Sequence, residues 1–106
     1  MMQNKVRKFN KEKNYNLDPM PVAARILDIQ SEMGELAKEC LKTSNYGADD
    51  FYVTTDFELE FGDVLYSLLS LAEEVNVSAE KCLDKALYKY KKRLAMQKTM
   101  GSEADF

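Results

Sequence analysis

The sequence predicts an all-α chain, four-helix-bundle-like and completed by dimerisation. Apolar residues recur at alternating steps of three and four along its long stretches, the spacing that lines up one face of a helix. Clusters bearing Asn, Pro or Gly, which interrupt helices, separate those stretches. No segment of any length carries a strand signal.

The first helix is expected over about residues 3–13, with Val6 and Phe9 turned inward. Residues 14–21 break it, and Pro21 suits the opening of a second helix because a proline costs little in a first turn. Val22, Ile26, Ile29, Met33, Leu36 and Cys40 form that helix's seam. Asp28, Glu32, Glu35 and Glu39 each precede a seam residue and make an acidic row along its edge. Asn45-Tyr46-Gly47 stops the helix, and a loop follows with Phe51 and Tyr52 at its tip. Thr54 or Thr55 can cap the third helix, with Asp56 and Glu58 in its first turn, where negative charge suits the helix dipole. Its seam is Phe57, Phe61, Val64, Leu68, Leu71 and Val75, and the row one residue earlier holds Asp56, Glu60, Asp63, Ser67 and Ser70. Asn76 ends it. Ser78 caps a fourth helix running to about Gln97, with Leu83, Leu87, Tyr90 and Leu94 as its apolar face and Lys89 and Arg93 in the adjoining row. The tail from about residue 98 is expected to fray.

One phrase occurs twice: Glu32-Met33-Gly34-Glu35-Leu36 and Glu60-Phe61-Gly62-Asp63-Val64. Acids three apart share a helix face, so each copy presents two carboxylates side by side. Two such helices packed together bring four carboxylates into a small volume, where mutual repulsion is costly unless cations sit among them. Hard divalent ions such as Mg²⁺ match an all-oxygen donor set. Each copy also holds a glycine, which costs a helix about 1 kcal/mol relative to alanine and would admit a close backbone or ligand. Against this stands the ordinary alternative, in which the acids are only the solvated edge of an amphipathic helix.

Composition narrows the chemistry. At 106 residues the chain is read as a single domain, 1–106, and its net charge of −3 argues against a nucleic-acid partner. The polar, basic start has no following apolar stretch of a signal peptide, and the longest apolar run, about 64–72, is too short for a membrane span. A cytoplasmic protein is expected. With no histidine, imidazole-based triads and most catalytic zinc sites are excluded. Cys40 and Cys82 lack metal-binding spacing and read as core-like thiols.

The run Ser-Glu-Met-Gly-Glu-Leu-Ala-Lys-Glu over 31–39, followed by Glu60-Phe-Gly-Asp63, resembles the Glu-x-x-Glu … Glu-x-x-Asp signature of MazG-like nucleoside triphosphate pyrophosphohydrolases. That all-α superfamily also includes dimeric dUTPases and dCTP pyrophosphatases. Phe9-Asn-Lys-Glu-Lys-Asn-Tyr15 with Pro19 resembles the family's lead-in, and Lys89-Tyr-Lys-Lys-Arg93 its basic run, so the likeness covers about residues 3–95. Some relatives carry an asparagine two residues before the lysine, where this chain has Leu87. The resemblance implies that Glu32, Glu35, Glu60 and Asp63 bind Mg²⁺, with Mn²⁺ as a substitute, and that Lys89 and Arg93 approach the substrate phosphates. It also implies hydrolysis of a nucleoside triphosphate to the monophosphate and pyrophosphate by a homodimer or homotetramer. Two other readings stand beside it: a dUTPase or dCTP pyrophosphatase of the same superfamily, and a non-enzymatic helical dimerisation or adaptor module.

Overall fold

A computed structural model of the chain describes residues 1–13 and 21–104, with side chains described as far as residue 98. Four helices account for most of it: α1 (Met2–Glu12), α2 (Val22–Thr43), α3 (Thr55–Glu74) and α4 (Ala79–Ala104). No strand occurs among the described residues. Tyr15 and Pro19 lie outside them. The chain divides into two compact units, Met1–Asn76 and Val77–Phe106.

The helix ends follow from local chemistry. Pro21 stands just before α2, its extended backbone (φ −54°, ψ 143°) leading into Val22. Beyond Ser44, the Tyr46 N–H donates to the Leu41 carbonyl (2.8 Å) and the Asn45 N–H reaches back toward Lys42, with Asn45 left-handed at φ 49°. That is a Schellman ending, which satisfies carbonyls the last turn leaves open. The reversal continues through Tyr46 (φ 58°) and Gly47 (φ 87°). Buried Ser44 steadies it: its hydroxyl donates to the Cys40 carbonyl (2.9 Å) and accepts from the Gly47 N–H (3.2 Å). Thr54 Oγ1 accepts from the Phe57 N–H (3.1 Å) and caps α3; Asn76, at φ 64°, follows its end.

In the first unit α3 is the central element, packed against both α2 and α1. Arg25 meets Glu74 and Glu32 lies near Glu60 and Asp63, so α2 and α3 run antiparallel. Buried Ser67 and Ser70 occupy the same α3 row, between Asp63 and Glu74. Asn10, also buried, accepts from the Tyr66 hydroxyl and donates to Ser70 Oγ (3.2 Å), tying α1 to α3. The apolar core is small: Val6, Leu69 and Ala72.

Here the structure departs from the expectation that the seams turn inward. Ile26 (46%), Met33 (49%), Phe61 (55%) and Leu68 (50%) remain about half exposed, and α2 has no fully buried residue. The acids beside the seams, Glu32 on α2 and Glu60, Asp63 and Glu74 on α3, lie where the two helices meet, while Ser70 meets Asn10 of α1. Periodicity locates an apolar face but does not say that the same chain covers it. Phe9 is 42% exposed although its ring meets Tyr66 edge-on, at 6.0 Å between centroids. Cys40 is half-buried and Cys82 exposed, so neither is the core thiol expected.

In the second unit, Ser78 Oγ accepts from the Lys81 N–H (3.2 Å) and caps α4 as its position suggested. The helix continues to Ala104, past the end expected near Gln97. Gly101 alone does not stop it, since one glycine weakens a helix without breaking it.

Candidate metal centre

The acid rows converge between α2 and α3. Glu32, Glu60 and Asp63 each place one carboxylate oxygen so that all three lie within 4.8 Å of one another. Helical register produces this: Glu60 and Asp63 are three apart on one face of α3, and antiparallel packing sets Glu32 against them. Mg²⁺ takes oxygen ligands at about 2 Å, so side-chain rotations that draw the three oxygens together would let them hold it. The donors are all hard carboxylate oxygens, as Mg²⁺ prefers. The fit is good.

Electrostatics report the same crowding. Partial burial raises the Glu32 carboxyl above the ordinary carboxylate range, and the charges of Asp63, Asp28, Glu60 and Glu35 raise it further. Desolvation likewise raises Glu60, followed by Asp63, Glu35, Glu39 and Asp56. Neighbouring anions disfavour ionisation, and a cation among them would reverse the effect.

Of the four acids expected at the site, the structure brings three into the tight group. Glu35 is exposed and offers it no oxygen, acting instead through its charge on Glu32 and Glu60. Glu39 pairs with Lys42 (3.1 Å), one turn further along α2. The two glycines make no close approach within the chain: a Cβ added at Gly34 or Gly62 would meet nothing within 4 Å.

Lys89 and Arg93 lie one turn apart on α4 and gather at one ring. The Lys89 ammonium stands 5.1 Å from the Tyr90 centroid and the Arg93 guanidinium 5.8 Å. Both are exposed. The sequence marked this pair by its row but not the aromatic surface that organises it.

Sequence reasoning missed the polar joint of Asn10, Tyr66 and Ser70, and the ion pair of Arg25 with Glu74 (2.7 Å). The available signal was the change from acids to serines along one α3 row, which marks where that row enters the interior.

Fold and acid cluster together define a class: all-α chains with a carboxylate centre held between two long antiparallel helices. The chain is similar to YpjD of Bacillus subtilis (strain 168), described as "Uncharacterized protein YpjD", at 35% identity over 78 residues. That match takes in 71% of this chain and 66% of YpjD. The crystal structure of "the putative pyrophosphatase YPJD from Bacillus subtilis" shares the fold with a TM-score of 0.68 at 26% identity, over 84% of this chain and 90% of that one. No protein-family model matches the chain.

Proposed function

We propose that this chain is a Mg²⁺-dependent nucleotide pyrophosphohydrolase of the MazG-like kind, releasing pyrophosphate and a nucleoside monophosphate from a triphosphate. The observation that carries the reading is the meeting of Glu32, Glu60 and Asp63 between α2 and α3. The likeness to YpjD adds support, since that protein's structure is described as that of a "putative pyrophosphatase".

Glu32, Glu60 and Asp63 would hold the metal, with Glu35 as a further ligand at the edge of the group. When bound, the ion would neutralise triphosphate charge and make an attacking water more acidic. The residues do the rest. The carboxylates fix where the phosphates dock, and one of them would accept the water's proton. Lys89 and Arg93 supply positive charge for the phosphates. A second copy of the chain is the proposed partner, covering the half-exposed seams and completing a homodimer or homotetramer.

The test is pyrophosphate release from a panel of canonical and damaged nucleoside triphosphates, dUTP and dCTP included, with Mg²⁺, with Mn²⁺ and with EDTA. Metal-dependent release is expected, and the panel separates a general enzyme from a dUTPase or a dCTP pyrophosphatase. No release from any nucleotide would overturn the assignment.

A further inference from the structure

We propose that α1 is a detachable strap, held on α3 by a polar clasp, whose release uncovers the apolar side of α3 next to the acid cluster. α1 has 11 residues, no side-chain cap at its start and no acid in its first turn. Isolated helices shorter than about 12–15 residues are marginal in water, so α1 depends on docking for its helicity. Yet its apolar anchorage is slight. Val6 is its one buried apolar side chain, while Met2 is 59% exposed and Phe9 42%.

What holds α1 is polar. Glu73 accepts from Gln3 Nε2 (2.5 Å) and from Arg7 through Nε (2.5 Å) and Nη2 (3.1 Å), and the Arg7 side chain is largely exposed. At the other end Asn10 joins Tyr66 and Ser70. Such groups lose little when the strap lifts, because water can replace each partner. The Arg7 side of its pair with Glu73 is exposed (59% against 18%), so salt weakens that contact. By contrast α2 and α3 are about twice as long as α1 and pack along each other.

Release would have a defined consequence. Lys5 and Val6 form one wall of an apolar groove whose other wall is Gly62, Leu65 and Leu69 of α3. Gly62 directly precedes Asp63 of the acid cluster. Lifting α1 removes one wall and exposes Leu69, and docking restores both. The strap is therefore an order–disorder element beside the metal centre, set by ionic strength.

Hydrogen exchange on the full chain, in low and high salt, tests this without reference to activity. Amides of 5–12 should exchange at least about tenfold faster than those of 65–72, as expected of a sub-global opening. Raising salt from about 0.05 M to 0.5 M should speed α1 alone by roughly threefold, through screening of the clasp. Glu73→Gln should give that faster rate at low salt and remove the salt dependence, with α2 and α3 unchanged. Equal rates in α1 and α3, exchange of α1 indifferent to salt, or a Glu73→Gln chain in which all three helices accelerate together would each overturn the proposal.

Discussion

Glu60, together with Glu32, carries the pH behaviour of the acid cluster. Its carboxyl is raised in the folded chain from an ordinary value of 4.5, so folding favours its protonated form. That contribution to stability is fully present at low pH and is lost as pH rises through the raised value. Glu60→Gln should therefore melt no higher than wild type at about pH 4 and progressively higher toward pH 7 without metal. Thermal melts across that range check it. Added Mg²⁺ should raise the wild-type melting temperature more than the mutant's, because a ligand that binds the folded state stabilises it. Asp63→Asn should remove most Mg²⁺-dependent pyrophosphate release and Glu35→Gln less, since Glu35 stands outside the tight group. Equal losses would place Glu35 among the ligands in the working enzyme. Gly34→Ala is a different probe. With open space around the site, it should stabilise the isolated chain by up to about 1 kcal/mol; loss of turnover despite that gain would show that substrate or a second copy uses the space.

Helix pairing depends on a few polar contacts. Arg25 and Glu74 are both largely buried and join α2 to α3, and among the described residues Glu74 Oε2 has no hydrogen-bond partner. Arg25→Met removes the counter-charge but leaves the carboxylate, which should cost about 3 kcal/mol in urea denaturation. On α4, Arg93→Ala should impair turnover or nucleotide binding more than Lys81→Ala does, with helix content nearly unchanged by circular dichroism. Equal, negligible effects would leave both as solvated cations. The elements themselves were legible in the sequence. Thr54 and Ser78 cap where capping chemistry placed them, and the Asn45-Tyr46-Gly47 ending follows from which residues tolerate left-handed backbone. From the repeated phrase four carboxylates were expected together, and three of them, Glu32, Glu60 and Asp63, meet, while Glu35 stands outside. What was not legible depends on distant partners. Asn10 and Tyr66 stand 56 residues apart, and nothing in either local pattern announces their contact.

At the scale of the molecule, the half-exposed seams call for a cover. Light scattering at micromolar concentration should show at least a dimer, and a stable monodisperse monomer would remove that reading. Phe61→Asp, on the exposed seam, should shift any dimer toward monomer because it places a charge on the buried side of the contact. The consequence of the three-sided α3 reaches beyond assembly. One stripe sets Glu60, Asp63 and Glu74 toward α2, a second receives α1 at Tyr66, Ser70 and Glu73, and a third is the exposed seam. A helix so occupied has little surface left for neutral drift. In a saturation-mutagenesis library scored for folding and for pyrophosphate release, α3 should show three interleaved sensitivity profiles. Changes on the α1 side should be tolerated for folding in proportion to side-chain volume. Those at Glu60 and Asp63 should spare folding while abolishing activity, and those on the seam should lower activity in a way that recovers at high protein concentration.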